Sequence, residues 1–461
     1  MNVRELLTQY GQEHLLQFEP QLSPDQRQQL RGQLGDIDFA QLRRLIDHQD
    51  ESSDWSALAA RAVAPPAVRL DRQHPEFSSQ QAIAAGEQAL RQGRVGVILV
   101  AGGQGTRLGF DLPKGMFPIG PLSQRTLFQM HCDRLLAVMR RYQVSIPLLV
   151  MTSPATDAQT RAYFESQQRC GLRPEDLIIF CQGTMPAVDA QSGHVLMSSP
   201  SSLALSPDGH GGLVAALDRS GCLQQARQRG IDLFYYAQVD NPLAQLGDPE
   251  LIGYHLLSRS QMTTQVVKKR FAKERVGNVV SIDGKVQIIE YSDLPDAAAE
   301  QTQADGQLKL WAGNIAVHVI DRSFLESVVS SADGLPFHRA SKPVPYIDPH
   351  GQLVEPQQAN AIKFERFIFD LLPLAQRAFV VEGDAAQIFA PVKNANGAAV
   401  DTPDTAQAAI VNLHRQWLLA AGAKLPPDIR VEIHPAWALD AAEVQSKITP
   451  GLEFSADTYL R

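Results

Sequence analysis

Val95-Gly96-Val97-Ile98-Leu99-Val100-Ala101-Gly102-Gly103-Gln104-Gly105-Thr106-Arg107-Leu108-Gly109 is the stretch from which the rest of the chain is read. Its first half is a continuous apolar, β-branched run, the pattern of a strand buried on both faces. Its second half is rich in glycine, which lets a backbone turn sharply and bring its N–H groups close to anionic oxygens. Arg107 adds a permanent cation, and Lys114 in Pro113-Lys114-Gly115 adds a compact one. Together these features predict an anion-binding turn at the carboxyl end of a central strand. Two better-known glycine loops do not fit. A dinucleotide fingerprint needs GxGxxG, but Leu108 stands at the third glycine's place and Ser123 where an acidic residue is expected. A Walker A loop needs its lysine after the last glycine, whereas Lys114 precedes Gly115.

Similar apolar runs follow at Ile146 to Met151, Leu177 to Cys181 and Leu233 to Val239, with helical stretches between them at Leu127 to Tyr142 and Ala158 to Gln168. This alternation predicts a doubly wound, mainly parallel sheet. Gly277 to Ile282 and Lys285 to Tyr291 flank Asp283-Gly284, the signal for a two-residue hairpin. Upstream, leucines at helical spacing over residues 1 to about 60 predict short amphipathic helices packed against another part of the chain. The Ala- and Pro-rich residues 61 to 76 read as a connector, and a helix is expected from Ser79 to Gln92. Val431-Glu432-Ile433 suggests a small terminal β unit. The expected division is a helical segment over 1–90, a catalytic domain over 91–385 and a small C-terminal domain over 386–461.

The 461 residues carry a net charge of −8, with 44% apolar and 20% charged residues. Such a balance is ordinary for a globular protein and argues against a nucleic-acid partner, because no excess of cations offsets a polyphosphate backbone. Cys132, Cys170, Cys181 and Cys222 show no CxxC spacing and read as reduced thiols. The opening residues lack a signal-peptide core, and no run has the length of a membrane span. A cytoplasmic protein with no membrane partner is expected, and the oligomeric state is left open.

The glycine loop followed by Pro113-Lys114-Gly115-Met116 resembles the signature of eukaryotic-type UDP-N-acetylhexosamine pyrophosphorylases, within the UDP-glucose/UDP-sugar pyrophosphorylase family. The resemblance continues in order through Gln182-Gly183, Pro207 to Gly212, Val239-Asp240-Asn241, Ile289 to Ser292, Ala312 to Ala316, Ile362 to Phe367 and Pro391 to Asn394. It covers about residues 85 to 400. It implies a Rossmann-like mixed sheet of the nucleotide-diphospho-sugar transferase, GT-A-like type. It also implies attack of a sugar 1-phosphate oxygen on the α-phosphorus of UTP, with Mg²⁺ as cofactor and pyrophosphate as leaving group.

Site roles follow from the same resemblance. The backbone of Val100, Ala101, Gly102 and Gly103 holds the nucleotide, Arg107 faces the β- and γ-phosphates, and Lys114 lies beside the α-phosphate. Gln182, whose amide offers both a donor and an acceptor, contacts the uracil edge together with the backbone at Gly209. Asp240, at the carboxyl edge of an apolar strand, is the expected metal ligand; the alternative is an N-cap for the next helix. Glu290 and Asn314 hold the hexose in a pocket shaped by Tyr291 and Gly313, and Lys363 and Lys393 approach the phosphates. His210 departs from the acetylhexosamine pattern, which has Asn there, and matches glucose and broad-specificity relatives. It is expected to contact the sugar, with N-acetylglucosamine 1-phosphate as leading substrate and glucose 1-phosphate or several hexose 1-phosphates as the alternative.

Overall fold

The computed structural model describes residues 3–47, 54–70, 76–331 and 334–461. Parts of the expected N-terminal helical segment (1–2 and 48–53) and of the connector (71–75) lie outside the described residues. The chain divides into two compact units: one comprises Met1–Asp54, Gln182–Ala216 and Ala332–Asp370, the other Trp55–Cys181, Leu217–Ser331 and Leu371–Arg461. This partition interleaves along the sequence, whereas the sequence-based scheme cut the chain serially at 90 and 385. Hydrophobic patterning marks elements, not the points where a chain leaves one core and enters another.

The larger unit is built on a sheet of β1 (Val95–Val100), β2 (Leu148–Thr152), β3 (Leu177–Cys181), β4 (Leu233–Gln238), β5 (Met262–Lys268), β6 (Asn278–Ile282), β7 (Lys285–Ile289), β8 (Ala312–Asp321) and β9 (Ala378–Glu382). The order is β7-β6-β8-β4-β1-β2-β3, with β5 paired to both β8 and β9. β1 runs parallel to β2 on one side and to β4 on the other, while β8 is antiparallel to β4. The sheet is therefore mixed. Because the chain leaves β1 toward β2 and returns to β4 on the opposite flank, the carboxyl ends of β1 and β4 open side by side. This is where open α/β sheets receive ligands.

Helices of this unit include α1 (Ser79–Arg91), α2 (Leu127–Tyr142), α3 (Asp157–Ser166), α4 (Pro249–Leu257) and α5 (Pro403–Ala420). α2 starts at a capping box, in which Thr126 accepts from Gln129 N and the Gln129 side chain accepts from Thr126 N. It ends at Gln143 in the left-handed region (φ 51°). Leu127, Phe128, Cys132 and Leu135 of α2 pack with Val97, Leu99, Val150 and Tyr235 in one continuous core. The β6–β7 hairpin turns through Asp283 (φ 52°) and Gly284 (φ 82°), as the Asp-Gly signal predicts. The connector adds isolated bridges to the sheet, Val63 to Ser281 and Val68 to Val381. The C-terminal residues join this unit through a small core of Leu418, Val431, Ile433 and Val444, and Val431–Ile433 pairs in parallel with Thr458–Leu460.

The smaller unit gives the N-terminal helices their partner. Leu7, Leu30, Leu34 and Leu42 share a core with Val188, Val195 and Phe364. These last residues belong to or flank a three-stranded sheet in the order His338–Lys342, Ala361–Glu365, Val188–Asp189.

Candidate active site

The end of β1 is held on both sides, with Ala101 N donating to Met151 O at 2.8 Å and Val239 N donating to Val100 O at 3.0 Å. Beyond it the glycine loop folds back on itself. Gly105 N bonds Leu112 O at 2.9 Å and Lys114 N bonds Gly103 O at 3.0 Å, so the backbone of Lys114 is pinned directly to the loop. Ser153 Oγ donates to Gly102 O at 2.7 Å. Among the described residues, the N–H groups of Gly102 and Gly103 donate to no backbone carbonyl. Gly102 is half-buried and Gly103 exposed, so these amides remain available to an anion, as a phosphate cradle requires.

Lys114 sits at the start of a 3₁₀ turn, Lys114–Met116, laid against α2. Gly115 makes that approach possible: a β-carbon there would stand 2.5 Å from Phe128 Cε1 and closer to other ring atoms. Burial pushes the Lys114 ammonium below the usual lysine range; Asp240 opposes that shift, and Lys393 and Arg107 add to it. These four side chains, assigned separately from the sequence, are thus brought into one electrostatic neighbourhood.

Asp240 follows β4 and is 9% exposed. It does not cap the next helix; Asp248 does, accepting from Glu250 N at 3.0 Å. Its carbonyl accepts from Val392 N at 2.8 Å. Its carboxylate receives no hydrogen bond from any described residue, and a nearly buried carboxylate without donors suits a hard cation. No group of three His, Cys, Asp or Glu side chains able to hold a metal occurs among the described residues. Asp240 would therefore have to share an ion with phosphate oxygens.

The sequence reading assigned nothing to Asn241, yet it staples this corner. Its Nδ2 donates to Ile388 O at 2.8 Å and its Oδ1 accepts from Ala390 N at 3.0 Å, tying the segment that leads to Lys393 to the end of β4. Asn241 was in view within Val239-Asp240-Asn241, but no pattern in the sequence pairs it with residues 388–390. His131 pins α2 to the same corner through Val239 O at 3.0 Å, and burial lowers its pKa to about 4.

Two of the expected sugar residues, Glu290 and Asn314, lie beside Gly277. Asn314 N donates to Gly277 O at 2.8 Å. A β-carbon on Gly277 would lie 3.0 Å from Glu290 Oε1 and 3.6 Å from Asn314 Cβ. Asn314 Oδ1 accepts from Ala316 N at 3.0 Å, which leaves its Nδ2 to donate elsewhere. Gly313 is buried where β8 meets β5 and β6, and Tyr291 is 48% exposed.

Gln182, Gly209, His210 and Lys363 belong to the smaller unit. Gln182 is 8% exposed, and the residue after it, Gly183, accepts from Asp208 N at 3.1 Å. Arg366 N bonds Asp208 O and Gly211 N bonds Arg366 O, both at 2.8 Å, so the glycine turn lies flat on residues 366–367. Gly209 adopts φ 81°, and a β-carbon there would meet Arg366 N at 2.7 Å. Arg366 was quoted in the Ile362 to Phe367 match but given no role; its guanidinium stacks 3.9 Å from the Phe337 ring centroid. His210 Nδ1 accepts from Ile368 N at 3.1 Å, and the ring packs beside Phe367 and Phe369. Burial, with His338 nearby, lowers its pKa to about 4. The ring is therefore neutral at pH 7 with its proton on Nε2, and it offers a donor only. Lys363 lies on the strand Ala361–Glu365, opposite Ala340.

Residues 39–421 match the family described as UTP–glucose-1-phosphate uridylyltransferase. The chain is similar to human UDP-N-acetylhexosamine pyrophosphorylase-like protein 1, with 35% identity over 457 residues covering 95% of this chain and 88% of that one. It is similar to UDP-N-acetylglucosamine pyrophosphorylase of Saccharomyces cerevisiae, with 38% identity over 356 residues covering 76% of this chain and 74% of the relative. Among solved structures, the uridine diphosphate N-acetylglucosamine pyrophosphorylase of Trypanosoma brucei, in complex with an inhibitor, matches with a TM-score of 0.83. Its identity is 27% and the match covers 99% of each chain.

Proposed function

This chain belongs to the UTP–glucose-1-phosphate uridylyltransferase family, and from that premise we propose that it joins UTP to N-acetylglucosamine 1-phosphate, yielding UDP-N-acetylglucosamine and pyrophosphate. The choice of sugar rests on the relatives that match over most of the chain, which are named for acetylated hexosamines. An oxygen of the sugar phosphate attacks the α-phosphorus of UTP, and the bond from that phosphorus to the α,β-bridging oxygen breaks, releasing pyrophosphate. Both reactants are anions, so the protein's task is to align them and offset their repulsion.

The unpartnered amides of Gly102 and Gly103, with the backbone of Val100 and Ala101, hold the nucleotide. Arg107 faces the β- and γ-phosphates, Lys114 the α-phosphate, and Lys363 and Lys393 approach the same charges. Gln182 and the Gly209 backbone read the uracil edge. In the larger unit, Glu290 and Asn314 Nδ2, beside Tyr291 and Gly313, are the groups assigned to the sugar; in the smaller unit, His210 Nε2 is the donor that the family resemblance assigns to it. Magnesium, when bound, would supply further screening of the phosphates, with Asp240 as the side chain that holds it. The cytoplasm is the proposed compartment; no described helix is long and apolar enough to cross a membrane, and the cysteines are free.

One observation carries this reading: Lys114 feels the charges of Asp240, Lys393 and Arg107, and its backbone is pinned to a glycine turn with two amides that donate to no backbone carbonyl. Purified protein with UTP and a panel of sugar 1-phosphates, assayed for pyrophosphate release, tests it. N-acetylglucosamine 1-phosphate should give the highest kcat/KM. Release with none of the sugars would refute the activity, and a preference for glucose 1-phosphate would overturn the choice of substrate.

A further inference from the structure

Lys393 lies on a stretch outside helix and strand, and a residue with no assigned role fixes it. Val392 N donates to Asp240 O at 2.8 Å, and the next amide, Lys393 N, donates to Asp401 O at 2.7 Å. Asn394 N donates to the same Asp401 oxygen at 2.9 Å. The peptide carrying Lys393 is therefore tied to the backbones of two aspartates, one at the end of β4 and the other just before α5.

Asp401 is built to make this bond. Its φ is 59°, in the left-handed region that Asp and Asn tolerate better than other side-chain-bearing residues. It directly precedes Thr402, whose side chain caps α5 by accepting from Thr405 N, so the helix start braces the turn. Its carboxylate is 14% exposed and lies 3.9 Å from Arg270. No described residue donates a hydrogen bond to it. Burial pushes this carboxyl up, Lys393 and Arg270 pull it down, and Glu274 and Asp240 push it up again. Lys393 and Asp401 are thus charge neighbours without forming an ion pair within 4 Å, and the Lys393 ammonium stands 5.9 Å from the Phe389 ring centroid.

Arg107, Lys114 and Lys393 repel one another whenever no polyphosphate lies between them, and Asp240 alone is a small counterweight to three cations. We infer that Asp401 is the positioning residue for Lys393: its carbonyl fixes the lysine's peptide, and its carboxylate adds the second negative charge that keeps the ammonium turned toward the phosphate site. The inference rests on the reading above, in which Lys393 approaches the phosphates. Direct ion pairing would lock the lysine away from substrate. A carboxylate near Lys393 but paired with Arg270 instead of with it balances the charge and leaves the ammonium free to meet an incoming anion.

Asp401→Asn isolates the carboxylate, because Asn also tolerates the left-handed backbone and keeps the carbonyl. A double-mutant cycle with Lys393→Met, read as kcat for pyrophosphate release alongside thermal midpoints, tests the inference. With Lys393 present, Asp401→Asn should lower kcat about tenfold, within the range for coupled neighbours, leaving the KM for the sugar 1-phosphate and the midpoint unchanged. With Lys393→Met present, the same substitution should have no further effect. Asp401→Gly, which also accepts positive φ, should behave as Asp401→Asn does and stands in for it if the amide disturbs folding. An equal loss of kcat in both backgrounds, or no loss with Lys393 present, overturns the role of Asp401 alone. A Lys393→Met variant as active as the parent overturns the placement of Lys393 at the phosphates and this inference with it.

Discussion

Gly115→Ala should separate folding from catalysis at this site. The added methyl would lie 2.5 Å from Phe128 Cε1 and nearer still to Cζ and Cε2, whereas carbon atoms in ordinary contact stand about 3.5–4.0 Å apart, so something must move by at least about 1 Å. Phe128 is 0% exposed, with Phe164 at 4.8 Å and Tyr163 at 5.6 Å between ring centroids, and it cannot retreat. The 3₁₀ turn must yield, and it carries Lys114 and strains the bond from Lys114 N to Gly103 O. Misplacing a catalytic group by about 1 Å costs on the order of 100-fold in rate, while overpacking costs only about 1–3 kcal/mol of stability. The assay is steady-state pyrophosphate release together with thermal unfolding. A folded variant should lose about 100-fold in kcat with little change in the KM for UTP. Phe128→Leu, added to make room, should restore much of the rate despite its own cost to the core. A Gly115→Ala enzyme within threefold of parent kcat (roughly 0.7 kcal/mol), or one that Phe128→Leu fails to rescue, would refute the reasoning.

Lys114→Ala should lower kcat by about 10²–10³-fold with the fold intact, as removal of one charge-stabilising donor does; near-normal turnover would remove it from the phosphates. Gln182→Ala should chiefly raise the KM for UTP, and an unchanged value would take it out of the base pocket. Chelation by EDTA should abolish turnover, restored by Mg²⁺; in Asp240→Asn, isothermal titration of Mg²⁺ in the presence of UTP should show weaker binding, and unaltered affinity would free Asp240 of the role. Stability should fall on acidification: burial lowers His131 and His210 to about 4 and His414 to about 3 from the ordinary 6.5. The unfolded chain then binds more protons than the folded one between about pH 6.5 and 4, costing about 1.4 kcal/mol per pH unit for each such histidine. Chemical denaturation across that range checks it, and stability constant down to pH 4.5 would contradict it.

The strands of the parallel core, α2 and the Asp-Gly hairpin were legible because each is written locally, in continuous apolar runs, a 3.6-residue period or a turn dipeptide. The loop from Gly102 to Lys114 was legible for a similar reason, since strand, glycines and cations adjoin in sequence. What eluded the sequence is long-range. Asn241 acts through residues 388–390 and Asp401 through Lys393, and neither pairing leaves a periodic trace. The interleaved units were hidden too, because the crossings at Cys181 to Gln182 and Ala216 to Leu217 occur inside ordinary-looking segments. At His210 the residue type was visible, but the tautomer depends on the backbone N–H of Ile368, which is distant in sequence.

The most direct measurement is a crystal structure of the protein grown with UTP and Mg²⁺. The triphosphate should lie against the amides of Gly102 and Gly103, with Lys114 beside the α-phosphate and Arg107 facing the outer two. Nucleotide density elsewhere, with that turn bare, would contradict the account.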